Sequence, residues 1–282
     1  SISGDGRYVA FESFASNLVK DDTNGKLDVF SYDRQTGETK LVSITAGGTQ
    51  GDDSSVSPSV SYDGRYVAFE SYATNLIPTD TNGSPDILVR DMQTGEISRA
   101  SVAYEAGQQP ELSSLAPAIS ADGRYVAFES FASNLVEGDT NEHVDIFVRD
   151  LTANLTRRVS LASDGSQSNE DSYLPAISPD GSAVAFISYA DNLVSGDTNL
   201  VSDVFLHDLL SGETWRASVS SANIQGNDSS YMPVLSRAGR YAVFSSNASN
   251  LVADDTNDTS DTFVRGSTPW LGYSFWIPLV AK

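Results

Sequence analysis

Three oxygen-bearing side chains, Asp22, Asn24 and Asp28, are packed into the stretch "SNLVKDDTNGKLDVFSYD" (Ser16 to Asp33). Nearly the same words return four more times: Asp80, Asn82 and Asp86; Asp139, Asn141 and Asp145; Asp197, Asn199 and Asp203; Asp255, Asn257 and Asp261. The spacing D-x-N-x-x-x-D places oxygen ligands at loop positions 1, 3 and 7, with a backbone carbonyl available between them, and hard oxygen donors of this kind suit Ca2+. The pattern departs from a full EF-hand loop. It has no acid at position 5 or 12, and Gly appears only at Gly25 and Gly83. A second segment would have to complete the shell; Asn17, Asn75, Asn134, Asn192 and Asn250, each five residues before the first Asp, are the local candidates. The other reading is structural, because Asp and Asn close turns by bonding their own backbone, and an Asp before a strand caps a loop. Both readings stand on the sequence. The net charge tips the balance toward a cation, since five divalent ions would neutralise the ten loop aspartates.

That charge is −21, from 38 acidic and 17 basic residues. Such a surface repels nucleic acid and anionic membranes and favours cations or basic partners. There are no cysteines, so disulfides and thiolate metal sites are excluded; His143 and His207 are too few for a His-rich site. The apolar run within "YSFWIPLVA" (Tyr273 to Ala281) is about half of what a membrane helix needs, so no membrane insertion is expected. Ser1 falls inside a repeat, which predicts a processed or trimmed chain.

The elements that must hold the loops come from self-alignment. "RYVAFES" at Arg7, Arg65 and Arg124, "SAVAFIS" at Ser182 and "RYAVFSS" at Arg240 follow one another at steps of 58, 59, 58 and 58 residues. A period of this size without helical periodicity marks stacked β units. Each unit holds four strand candidates, such as "PSVS" (Pro58 to Ser61), "RYVAFES" (Arg65 to Ser71), "DILVRD" (Asp86 to Asp91) and "EISRASV" (Glu96 to Val102). The first two are joined by Asp-Gly, a strong hairpin signal, replaced in the fifth unit by Ala238-Gly239. "QTGE" or "LSGE" joins the last two.

The units "SYDGRYVAFES" and "DIFVRDLT" resemble the WD-like β-propeller repeats of TolB-type proteins, in the secreted bacterial subfamily with an "A-S-N-L-V-x-x-D-T-N" insertion. The resemblance covers about 265 of the 282 residues. It implies an all-β, five-bladed β-propeller forming a single domain over 1–282, with blades at about 1–55, 56–114, 115–172, 173–230 and 231–282 and four antiparallel strands per blade. It also implies that the first strands line a central channel and that the D-x-N-x-x-x-D loops form a ring on one face. An extracellular or cell-surface location in a bacterium follows from the same resemblance.

No enzyme is expected. An active site is singular, whereas these acids recur unit after unit, and the predicted channel strands present Ser3, Ser61, Ser120, Ser178 and Ser236. A glycoside hydrolase would need two carboxylates flanking one bond. Glu12, Glu70 and Glu129 also repeat and read as a blade-to-blade hydrogen bond or an ion pair with the hairpin Arg. His143 and His207 read as exposed or structurally bonded. The sequons at Asn82, Asn154, Asn227, Asn247 and Asn257 arise readily in so Asn-, Ser- and Thr-rich a chain. The expected function is therefore a non-enzymatic, calcium-stabilised structural or protein-interaction module of the bacterial cell exterior. The alternative is a sugar-binding propeller using Gln50, Gln109, Gln167 and Gln225 with Tyr173 and Tyr231. Cations on the outer strands at Lys40, Arg99, Arg157, Arg158 and Arg216 read as guards against edge-to-edge pairing. The tail "LGYSFWIPLVAK" is expected to supply the outer strand of the last blade. With Tyr273, Phe275, Trp276, Ile277, Leu279 and Val280, and Lys282 as its one cation, that edge would close the ring or dock on a protein partner or a second copy.

Overall fold

A computed structural model describes residues 1–78, 80–106 and 108–266. It is all-β, with a single turn of 3-10 helix at Arg237–Gly239. The strands form five antiparallel sheets, one per repeat. The first holds β1 (Tyr8–Ser13), β2 (Asp28–Asp33) and β3 (Glu38–Leu41); the second β4 (Ser55–Val60), β5 (Tyr66–Ser71), β6 (Asp86–Asp91) and β7 (Ile97–Arg99). The third holds β8 (Ser114–Ile119), β9 (Tyr125–Ser130), β10 (Asp145–Asp150) and β11 (Leu155–Arg158). In the fourth are β12 (Ser172–Ile177), β13 (Ala183–Ser188), β14 (Asp203–Asp208) and β15 (Thr214–Arg216). The fifth has β16 (Ser230–Leu235), β17 (Tyr241–Ser246) and β18 (Asp261–Gly266). The expected outer strand of the fifth repeat, from Tyr273 to Lys282, lies outside the described residues.

The two middle strands of each repeat coincide with their sequence signals, and in the second, third and fourth repeats both faces are covered. In β5 every residue after Tyr66 is buried, and β13 is buried throughout. Strands of this kind read as near-continuous apolar runs, and each fully buried Phe stabilises the fold by roughly 2 kcal/mol. The Asp-Gly hairpin closes as expected: the Gly64 amide donates to the Ser61 carbonyl at 3.1 Å, with Gly64 at φ 74. Ala238-Gly239 makes the same closure to Ser236 at 3.0 Å, and Ala238 takes a left-handed φ of 59 without glycine's freedom.

The first strand begins earlier than its sequence signal. β4 starts at Ser55 and carries a bulge between Val56 and Ser59, with Ser57 at φ 53. Ala116, Leu174 and Met232 repeat the same left-handed turn, each just before a proline. The bulged amide is used: Ser57 N–H donates to Glu12 Oε2 at 2.7 Å, tying the first repeat to the second. The hairpin arginine takes another partner, with Arg7 bonding Asp33 of its own repeat at 2.7 and 2.9 Å.

The chain divides into two compact units, residues 1–142 with 148–157, and 143–147 with the chain from 158 onward. In the first unit Ala10, Val29, Val60, Val67, Phe69 and Leu88 form one apolar core between the first two sheets. In the second, Val204, Leu206, Ala217, Phe244, Leu251 and Phe263 do the same between the fourth and fifth.

Candidate functional site

The D-x-N-x-x-x-D loops run into the third strand of each repeat, whose first residue is the last Asp of the motif. Strand pairing buries that residue in the first four repeats, where Asp28, Asp86, Asp145 and Asp203 are at most 1% exposed, while Asp261 in the fifth is half-buried. A buried carboxylate needs partners. One is a serine just past the fourth strand. Ser43, Ser101, Ser160 and Ser218 donate their hydroxyls to Asp28, Asp86, Asp145 and Asp203, the second at 2.8 Å. Each serine oxygen also accepts the next backbone amide, at 3.1–3.2 Å.

The second partner is a guanidinium. Arg99 Nη2 lies 3.2 Å from Asp86 Oδ2 and 3.5 Å from Asp80 Oδ1. Arg158 Nη1 lies 3.1 Å from Asp145 Oδ2. Arg216 Nη1 lies 3.1 Å from Asp197 Oδ1 and 3.2 Å from Asp203 Oδ2. These arginine side chains are 12%, 8% and 8% exposed. They therefore do not guard a sheet edge, contrary to their sequence reading. They turn inward because two desolvated aspartates attract a cation more strongly than water retains it. Lys40 and Arg157, one residue earlier along the strand, remain exposed.

Electrostatics follow this geometry. Burial raises the pKa of Asp86 to about 6, against the opposing pull of Arg99 and the Ser101 hydrogen bond. Asp80 and Asp197 are also raised, chiefly by burial. Asp28 is raised by burial, opposed by hydrogen bonds from Ser43 and Asn24, with the charge of Asp22 adding to the rise.

The loop asparagines form Asx-turns. Asn24, Asn82, Asn199 and Asn257 each accept the amide two residues on, at 3.0–3.3 Å. The structure thus brings Asp80 with Asp86 and Asp197 with Asp203 onto an arginine, and sets Asn199 on Asp203 and Asn257 on Asp261, each at 3.1 Å. Asp22 stands near enough to Asp28 to raise it. Asp139 and Asn141 lie in the loop before β10, and Asp255 in the loop before β18. Among the described residues no three His, Asp or Glu side chains converge as a metal site requires.

The proposed second-segment ligands point elsewhere. Asn75, Asn134, Asn192 and Asn250 each accept an amide at 3.0–3.1 Å and donate to a carbonyl at 2.8–2.9 Å of the loop that joins the repeats. The glutamines proposed for sugar are engaged too. Gln50 accepts from the Thr23 and Asn24 amides at 3.1 Å and donates to the Asp21 carbonyl at 2.8 Å. Gln225 donates to Asp197 at 2.7 Å, and Gln167 accepts from Arg158 at 3.1 Å. Tyr173 and Tyr231 spend their hydroxyls on Asp171 and Ser260. His207 is buried against Thr214 at 2.9 Å, and burial lowers its pKa to about 4; His143 meets Asp171 at 3.2 Å.

One repeat breaks the pattern. Strand pairing sets Leu41 opposite Phe30, as it sets Arg99 opposite Leu88 and Arg216 opposite Phe205. The first repeat therefore has leucine where the next three have arginine. A cavity of 630 Å³ opens there, lined among others by Asp21, Asn24, Leu41 and Gln50.

No protein-family model matches the chain, and no curated protein does. Solved structures do resemble it. TolB from Acinetobacter baumannii is 18% identical with a TM-score of 0.52, over 94% of this chain and 50% of that one. An oligogalacturonate lyase from Vibrio parahaemolyticus is 12% identical with a TM-score of 0.54, over 98% of this chain and 62% of that one. A prolyl endopeptidase is 13% identical with a TM-score of 0.51, over 94% of this chain and 32% of that one. The fold is TolB-like, of the β-propeller kind. The chain spans from 32% to 62% of the lengths of these solved structures. The comparison corrects the functional expectation. This fold is shared by a lyase and an endopeptidase, so it does not mark a non-enzymatic, calcium-stabilised or sugar-binding module of the cell exterior.

Proposed function

We propose that this chain is a TolB-like propeller domain of a larger protein and that its role is to receive a cationic ligand. The observation that carries this reading is the repeated aspartate pair that holds a guanidinium at 3.1–3.5 Å in the second and fourth repeats. The fold has a working cation seat and copies it. A net charge of −21 draws cations toward it and repels polyanions. An oligogalacturonate-like substrate, itself polyanionic, fits this surface poorly; a basic peptide fits it well. Five repeats at a step of 58 or 59 residues support a five-bladed ring, and the "ASNLVxxDTN" motif supports the secreted bacterial subfamily.

Calorimetric titration tests the reading with tri-arginine, tri-lysine and trigalacturonate at low and physiological salt. Cationic oligomers are expected to bind, more weakly as salt rises. Binding of trigalacturonate with no response to either cationic oligomer would overturn it.

A further inference from the structure

We propose that the space between the first two sheets binds a small zwitterion, an amino acid or a short peptide, whose carboxylate meets Lys40 and Arg65 and whose ammonium meets Glu38 and Asp63. This site is independent of the cation-binding reading, which concerns the loop aspartates.

The first observation is a gap in the apolar filling. In the fourth sheet Leu206 stands opposite Trp215, and both pack into the core that this sheet shares with the fifth. The same register in the first sheet sets Ser31 opposite Lys40. Val89 and Val148 hold the place of Ser31 in the second and third repeats, 3% and 4% exposed. Where the small serine stands, a cavity of 460 Å³ lies between the first sheet on one side and the β4–β5 hairpin and the turn after β6 on the other. Cavities of roughly 300–1,000 Å³ hold small ligands.

The second observation is Ser31 itself. It is 5% exposed, it lines the cavity, and its hydroxyl has no hydrogen-bond partner among the described residues. A hydroxyl so enclosed calls for a partner, and the sister positions avoid the need by carrying no polar group.

The third is the charge on the walls. Arg7, Lys40 and Arg65 face the cavity together with Asp33, Glu38 and Asp63, so this patch is neutral in a chain of net charge −21. Arg7 and Asp33 are spent on each other at 2.7 and 2.9 Å. The other four have capacity left. Arg65 gives Nε and Nη2 to Asp91 and keeps Nη1 unbonded; Asp63 takes Ser61 and the Arg65 amide on Oδ1 and keeps Oδ2 unbonded. Lys40 and Glu38 face each other at 3.4 Å, 57% and 59% exposed, a solvated pair that exchanges partners at little cost.

The chemistry selects a ligand of both signs. A lone anion would meet the carboxylates and a lone cation the basic groups, whereas a zwitterion finds a partner for each end. Met92 and the ring of Tyr8, which packs so closely on Gly64 that a Cβ there would stand 2.1 Å from it, add apolar surface for an aliphatic side chain. Amino acids and short peptides share this chemistry.

The test titrates alanine, trialanine and N-acetyl-trialanine amide into wild type, Ser31→Val and Lys40→Gln by calorimetry. The two methionine methyls are isotopically labelled for NMR, and folding is followed by circular dichroism. Met92 lines the cavity, and Met232 in the fifth repeat is the internal control. We expect one zwitterion per chain, with a shift at Met92 and none at Met232. Ser31→Val, which installs the sister residue, should lose at least ~10-fold in affinity. Lys40→Gln, at an exposed side chain, should lose several-fold in a folded protein. Tighter binding of trialanine than of alanine assigns the ligand to a peptide; equal binding assigns it to an amino acid. A blocked peptide that binds as well as the free one would overturn the zwitterion. So would the absence of zwitterion binding to wild type, or an affinity unchanged in both variants. None of these results alters the response to tri-arginine and tri-lysine, which tests the cation-binding reading separately.

Discussion

Asp28 and Asp86 begin equivalent strands, are equally buried, and each takes a serine hydroxyl on Oδ1. Beyond that point the first two repeats part. In the second, Arg99 closes over Asp86 and Asp80; in the first, Leu41 stands at that register and supplies no charge to Asp28. The same loop is an internal ion pair in one repeat and goes without the arginine in the other. A D-x-N-x-x-x-D loop is therefore not a site by virtue of its acids. What decides is the residue two positions before the conserved serine on the neighbouring strand.

The largest effect should come from making the second repeat like the first. Arg99→Leu leaves Asp80 and Asp86 buried without a counterion, which costs roughly 3 kcal/mol. For a chain of this size the melting temperature should fall by about 6–12 °C in differential scanning calorimetry. A fall within about 1 °C would mean that the arginine contributes nothing net.

The reverse change comes next. Leu41→Arg supplies Asp28 with a partner and should stabilise the protein by about 1 kcal/mol, or about 2–4 °C in melting temperature. A lowered melting temperature would show that the cavity cannot accept a guanidinium.

Acidity separates two classes of aspartate. Asp28, Asp80 and Asp197 have raised folded-state pKa values, and Asp86 titrates near 6. A group raised on folding is better accommodated when protonated, so its stabilising contribution is full below its unfolded pKa and is lost as pH rises through its folded pKa. The hairpin aspartates run the other way. Arg65 lowers Asp91, and Arg124 lowers Asp150 to about 2, so their contribution is present above the unfolded pKa and lost as pH falls below it. Thermal stability should therefore peak between about pH 4 and 6. A flat profile from pH 5 to 7 would contradict the burial of the loop carboxylates.

The smallest effect is expected at those hairpins. Arg124→Ala breaks a bidentate pair whose arginine is 42% exposed and screened by water. Its melting temperature should drop far less than that of Arg99→Leu, and the difference should shrink in 0.5 M salt.

How far this contrast was legible in the sequence depends on the residue. The repeats, the Asp-Gly hairpins and the two middle strands could be read directly, because buried strands are continuous apolar runs and Gly64 marks the turn by its left-handed φ. The bulge at Ser57 could not, since Ser57, Ala116, Leu174 and Met232 share no residue type; only the proline after each one marks the position. The role of Arg99 was hidden for a different reason. An arginine on an outer strand looks like a solvated edge charge until its side chain is seen to reach back over two aspartates. The available hint was Leu41, the one apolar residue at a position that reads arginine in the next three repeats.

The claim that the first repeat lacks an internal counterion is tested most directly at Asp28 itself. Its carboxyl carbon can be followed by NMR through a pH titration in wild type and in Leu41→Arg. We predict an Asp28 pKa above the ordinary aspartate value in wild type that falls when arginine occupies position 41. An Asp28 that titrates identically in both proteins would contradict the account.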